Sequence, residues 1–173
     1  MSDKIYNTLF LCTGNSARSI MAEALLNHFG RNRFRAYSAG SHPGAHVNPL
    51  TLEVLQSARL PADDLRSKSW DEFARSEAPQ LDFVITLCDS AAGELCPVWP
   101  GQPITAHWGF EDPSAFEGTA EEKRAFFDKI FRQIANRIKI FNSLPLATLD
   151  RVAIKRELDA LGDRATQTST LAS

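Results

Sequence analysis

Stretches of apolar and polar residues alternate along the chain with two different periods. Ile5 to Leu11 is apolar and β-prone, breaks into the polar loop Thr13-Gly14-Asn15-Ser16, and is followed by Met21, Ala24, Leu25 and His28 at helical spacing. That pattern predicts strand, loop, helix. A second strand is expected over Arg35 to Ser38, closed by Gly40, and Asn48 with Pro49 supplies the cap and first turn of a helix running to about Arg59. A short helix is expected near Trp70 to Arg75. Asp82 to Leu87 is nearly continuous in its apolar character, as in a strand covered on both faces of a parallel sheet. A short fourth strand, Ile104 to His107, leads into the loop Trp108-Gly109-Phe110-Glu111-Asp112-Pro113. Thr119 and Glu122 form a capping box, and Phe127, Ile130, Phe131, Ile134, Ile138 and Phe141 make one stripe on the longest helix. Leu149, Val152, Leu158 and Leu161 suggest a last helix that ends at Gly162.

Strands alternating with helices imply an α/β fold, a parallel sheet of about four strands flanked by helices. In such sheets the site lies beyond the carboxyl ends of the strands, and Cys12, Cys88 and Asp112 all fall at or just after strand ends. At 173 residues, with 43% hydrophobic and 23% charged content, the chain has the make-up of one domain, expected over residues 1–162, with a flexible tail over 163–173 that is rich in Thr, Ser and Ala. A domain of this size buries about 70% of its unfolded surface and needs no disulfide or metal to fold. Its three cysteines, Cys12, Cys88 and Cys96, are therefore available for chemistry. The N-terminus lacks the stretches of a secretory signal, so a cytoplasmic setting is expected, where a small odd set of cysteines points to catalysis or redox work. A net charge of -2 with scattered Lys and Arg gives no footprint for nucleic acid, and no apolar run reaches the ~18 residues of a membrane span.

The chemistry concentrates in Cys12-Thr13-Gly14-Asn15-Ser16-Ala17-Arg18-Ser19. Successive N–H groups in a tight loop and at a helix N-terminus form an anion-binding concavity. Gly14 and Asn15 tolerate a left-handed backbone, and Arg18 can grip two oxygens of a tetrahedral oxyanion. The same positive field favours the thiolate of Cys12. Asn15 and Ser19 are expected to fix the loop and hydrogen-bond that thiolate. These residues describe a nucleophile that attacks a tetrahedral oxyanion.

The pattern Leu-Phe-Leu-Cys-x-Gly-Asn-x-x-Arg-Ser resembles the low-molecular-weight protein tyrosine phosphatase superfamily, which includes thioredoxin-coupled arsenate reductases, and the resemblance extends over about residues 5 to 143. It implies that Asp112, before Pro113, is the general acid. The segment from Thr86-Leu87-Cys88-Asp89 through Cys96-Pro97, with His107 to Pro113, is similar to the redox segment and acid loop of the reductases, not to the tyrosine-rich acid loop of the phosphatases. By this resemblance Cys12 forms an adduct with arsenate, Cys88 attacks Cys12 to release arsenite, and Cys96 then attacks Cys88. Thioredoxin, or glutaredoxin with glutathione, would reduce the resulting disulfide, and no cofactor or metal is implied. A helix from 88 to 96 would hold the two Cα atoms ~12 Å apart, whereas a disulfide needs less than about 7 Å, so the relay requires that segment to unwind; Gly93 and Pro97 would help.

Three departures from the family pattern stand out. Ala17 sits where many relatives carry a cysteine. Seven residues separate Cys88 from Cys96, one more than is usual. Ser69 stands in place of a carboxylate that helps some relatives bind potassium near Asn15, Glu23 and Ser38, and Glu23 is expected to buttress the loop or lie at the surface. His28, His42 and His46 belong to no constellation, and a zinc site from Cys88, Cys96 and His107 lacks a fourth ligand. Trp108 and Phe110 are expected to pack and so position the acid loop. A phosphotyrosine or small-molecule phosphatase, or a non-catalytic oxyanion or redox sensor, remains open beside the reductase.

Overall fold

A computed structural model describes residues 4–88 and 99–171, with 164–171 described by their backbone alone. Four parallel strands, β1 (Tyr6–Cys12), β2 (Phe34–Gly40), β3 (Phe83–Thr86) and β4 (Ile104–His107), form one sheet in the order β2-β1-β3-β4. β1 is central, with Leu9 opposite Tyr37 on one side and Val84 on the other. Four helices accompany it among the described residues: α1 (Arg18–Phe29), α2 (Pro49–Ser57), α3 (Ala120–Ser143) and α4 (Arg151–Leu171).

Successive side chains of β1 enter two separate apolar cores. Phe10 packs with Ile20, Leu25, Leu55, Ile134, Phe141 and Leu158 from the four helices. Leu9 and Leu11 face the other way, with Val84, Trp70, Phe73 and Trp99. All three are fully buried, which explains the unbroken apolar run: in a strand covered on both faces, each position gains about 1.5–3 kcal/mol from burial.

Local signals position the helices. Asn48 accepts from Leu50 N–H at 2.9 Å, with Pro49 in the first turn of α2. The Thr119 hydroxyl accepts from Glu122 N–H and the Glu122 carboxylate from Thr119 N–H, both at 3.1 Å, so the capping box starts α3. Trp70–Phe73 is a single 3-10 turn rather than a helix to Arg75, opened by Ser69 accepting from Asp71 N–H.

The last helix does not end at Gly162; it runs on to Leu171. A Cβ at Gly162 would lie 2.2 Å from the His107 carbonyl oxygen. The glycine therefore lets α4 lie against the end of β4 and is not a stop signal. Trp108 Nε1, donating to Leu158 O at 2.9 Å, ties the same helix to the chain beyond β4. No described helix is long and apolar enough to cross a membrane.

Candidate active site

The carboxyl ends of β1 and β3 and the loop after β4 line one cleft, bounded by Cys12, Thr13, Gly14, Ser16, Ala17, Arg18, Cys88, Phe110, Asp112 and Ser114. Cys12 is the last residue of β1 and Arg18 the first of α1. The five residues between them form a loop in which the carbonyls of the first four are held from outside, while Ala17 O accepts from Met21 N–H of α1 at 2.9 Å. Thr13 O accepts from His42 N–H at 2.9 Å and Gly14 O from Gly44 N–H at 3.0 Å. Asn15 O accepts from the Ser67 hydroxyl at 2.6 Å, and Ser16 O from Asn48 N–H and the Thr51 hydroxyl. A trans peptide sets its N–H opposite its C=O, so carbonyls turned outward send the N–H groups of residues 14 to 17 toward the cleft. Ala17, at the N-cap of α1, offers no side chain to cap those amides. The result is a concave set of donors at the positive end of a helix, suited to a tetrahedral anion.

Of the two residues that tolerate a left-handed backbone, only Asn15 adopts one, with φ 49°. Gly14 has no positive φ, and a Cβ there would meet nothing nearer than the Ser16 hydroxyl at 3.6 Å. The asparagine alone turns the loop, and its side chain holds the strained position.

That side chain also reaches toward Cys12 through Ser19. Lys68 N–H donates to Asn15 Oδ1 at 2.9 Å, which fixes which end of the amide is oxygen. Asn15 Nδ2 then donates to Ser19 Oγ at 2.7 Å, leaving the Ser19 hydroxyl hydrogen for Cys12 Sγ, 2.9 Å away. The Ser19 hydroxyl is thus a donor aimed at the sulfur.

Cys88 and Cys12 pack against each other as a buried pair, and Thr13 Oγ1 lies 3.5 Å from Cys88 Sγ. Cys96, Asp89 and Gly93 lie outside the described residues. Arg18 lines the cleft, donating to Phe110 O at 3.0 Å with its other terminal nitrogen 3.5 Å from Asp112 Oδ2. Asp112 is half-exposed, and its Oδ1 accepts from the Ser114 N–H and hydroxyl. Its second oxygen is thereby directed at the arginine and the cleft. Trp108 is fully buried in the core and Phe110 nearly so, which anchors the chain between β4 and Asp112. His107 Nδ1 is paired with the Thr86 hydroxyl at 2.8 Å.

Behind the loop, Glu23, Ser38 and Asn15 come together around Lys68. Its ammonium donates to Ser38 O and Arg66 O, each at 2.8 Å, with Glu23 Oε1 at 3.8 Å. Glu23 in turn accepts from the Ser38 hydroxyl. Burial pushes the Glu23 carboxyl up from its ordinary range, against the pull of Lys68, and pushes Lys68 down. The space among these oxygens is filled by the Lys68 ammonium group, so the residues gathered here do not fit a metal ion.

Sequence reasoning missed Gly40, whose N–H donates to Lys68 O at 2.9 Å, together with Thr51, Ser67, Lys68 and Ser114. Each acts through a contact distant along the chain or through a turn, and a lysine ordinarily signals solvent. The proximity of Ser67 and Lys68 to Ser69, where the family pattern changes, was the available signal.

The family model described as low molecular weight phosphotyrosine protein phosphatase matches residues 7–153. An arsenate reductase of Shouchella clausii is 39% identical over 142 residues, covering 82% of this chain and 96% of that one. Among solved structures, a thioredoxin-dependent arsenate reductase of Corynebacterium glutamicum aligns with a TM-score of 0.53 at 26% identity, over 81% of this chain and 65% of that chain. A low molecular weight protein tyrosine phosphatase from T. tengcongensis aligns with a TM-score of 0.62 at 25% identity, over 80% of this chain and 99% of that one.

Proposed function

Because the chain belongs to the low molecular weight phosphotyrosine protein phosphatase family, we propose that it turns the family's oxyanion loop to the reduction of arsenate to arsenite. The observation that carries this reading is the second buried cysteine, Cys88, packed against the nucleophile Cys12. Hydrolysis of a covalent intermediate needs no second thiol; a two-electron reduction does. The name borne by the Shouchella clausii relative supports the same substrate.

In the first step the Cys12 thiolate attacks arsenic, held by the loop amides and Arg18, and a sulfur–arsenic bond replaces one arsenic–oxygen bond. Asp112 supplies the proton with which that oxygen leaves as water. Arg18 is held ready at the cleft, and an incoming oxyanion would exchange the Phe110 carbonyl for its own oxygens. The Cys88 thiolate then attacks Cys12 Sγ. A Cys12–Cys88 disulfide forms, the sulfur–arsenic bonding pair stays with arsenic, and arsenic(V) leaves as arsenite. Cys96 attacks Cys88, frees the Cys12 thiolate and leaves a Cys88–Cys96 disulfide. An external thiol reductant, the thioredoxin dithiol or two glutathione equivalents with glutaredoxin, restores both thiols in a cytoplasmic setting where such reductants are maintained. The thioredoxin dependence of the Corynebacterium glutamicum neighbour favours the first.

Arsenite production with thioredoxin and thioredoxin reductase, set beside glutathione and glutaredoxin, on wild type and on a serine variant of each cysteine, tests this reading. Wild type should turn over with thioredoxin, and each serine variant should lose multiple turnover. Steady hydrolysis of an aryl phosphate with no arsenite formed under either reductant would replace it with a phosphatase.

A further inference from the structure

We propose that the Lys68 ammonium is a built-in monovalent cation that positions the catalytic loop, so that this chain binds and attacks oxyanions independently of potassium. The inference deepens the reading of the Cys12 loop as an oxyanion site and rests on it. Lys68 is clamped at both ends. Its backbone N–H holds Asn15 Oδ1, its carbonyl accepts from Gly40 N–H at 2.9 Å, and its ammonium joins the carbonyls of Ser38 and Arg66 to the Glu23 carboxylate. The side chain is only 9% exposed. Such burial costs a lysine its hydration and is tolerated only where oxygens replace the water.

Those oxygens come from three places: Glu23 on α1, Ser38 on β2 and Arg66 in the segment before the 3-10 turn. They would otherwise turn a carboxylate and two carbonyl dipoles toward one another. A cation among them holds the segment 66–68 against the sheet, and that segment carries both bonds to Asn15, from Ser67 Oγ to its carbonyl and from Lys68 N–H to its side chain. Asn15 is the loop's left-handed residue and the first link to Ser19 and Cys12. Lys68 touches neither sulfur nor the cleft, and so is a positioning residue. Removing the side chain leaves a hole lined by oxygens at carbonyl spacing, the donor set of a weakly hydrated monovalent ion.

The test compares wild type, Lys68→Ala and Lys68→Met in KCl and in choline chloride at equal ionic strength, reading inorganic phosphate affinity by calorimetry and the single-turnover rate of arsenite formation. Wild type should give the same values in both salts. Lys68→Ala should lose about 10- to 100-fold in both readouts in choline through loosened loop geometry, and should recover most of that loss in KCl. Lys68→Met fills the space with a neutral chain and should stay impaired in both salts. A potassium response in wild type overturns the proposal even if neither variant folds. So does a folded Lys68→Ala indifferent to the salt, or a Lys68→Met equal to wild type. If wild type binds phosphate yet forms no arsenite, the reductase reading fails while the affinity comparison still decides the role of Lys68.

Discussion

Gly40, the last residue of β2, lies directly behind the oxyanion loop, and adding one methyl group there should disarm the site without touching a catalytic residue. A Cβ at Gly40 would sit 2.5 Å from Thr13 O, 3.0 Å from Cys12 O and 3.1 Å from Asn15 Cβ. Two of these three are backbone atoms, so no rotamer change relieves the clash; the loop must retreat by at least about half an ångström before the contacts cease to be repulsive. The Thr13 carbonyl belongs to the same rigid peptide as the Gly14 N–H, so moving one tilts the other away from the oxyanion position. Gly40→Ala should therefore cost about 1–3 kcal/mol of stability, as overpacking does, and weaken phosphate binding by about 10- to 100-fold through misplaced donors. Gly44→Ala is the control: a Cβ there meets nothing closer than the His46 carbonyl at 3.9 Å, although Gly44 N–H also holds the loop. Urea unfolding and phosphate calorimetry on both variants measure the two effects. A folded Gly40→Ala protein with wild-type phosphate affinity, or a Gly44→Ala protein equally impaired, would refute the outward-carbonyl account of the loop.

Three further outcomes are expected. Asp112→Asn should keep oxyanion binding but slow single-turnover adduct formation by about 10²- to 10⁴-fold, the range for loss of a general acid, measurable by rapid quench. Cys88→Ser should bind arsenate nearly as wild type does yet fail to release arsenite over repeated cycles, which a steady-state assay reads directly. Glu122 is held below the ordinary carboxylate range by Thr119, through its N–H and hydroxyl; its contribution to stability is present above pH 4.5 and is lost as pH falls through its lower folded value. The cost of Glu122→Ala in urea unfolding should accordingly shrink in acid, and an equal cost at pH 7 and pH 3 would contradict the capping box.

What was legible in the sequence was what is local. The strand, loop and helix around Cys12, the Asn48-Pro49 start of α2 and the Thr119–Glu122 box each depend on residues a few positions apart, and each stands where the pattern placed it. What escaped depends on residues distant along the chain. Gly162 has the look of a helix stop, but only the approach of His107 O, more than fifty residues earlier, shows why it has no side chain. Gly14 and Asn15 looked equally suited to a left-handed turn, and the outer hydrogen bonds decide for Asn15. Lys68 carries no burial signal of its own; its surroundings exist only once β2, α1 and the 66–68 segment meet. Phe110, expected only to pack, also lends its carbonyl to Arg18.

The most direct test of the central claim is a single turnover with no external reductant. Fully reduced protein, freed of small thiols and mixed with excess arsenate, holds the two electrons for one reduction in Cys12 and Cys88. Wild type should release about one arsenite per chain, Cys12→Ser none, and Cys88→Ser none until a thiol is added. A wild type that binds arsenate but releases no arsenite, or a Cys88→Ser protein that releases as much as wild type without added thiol, would contradict the relay.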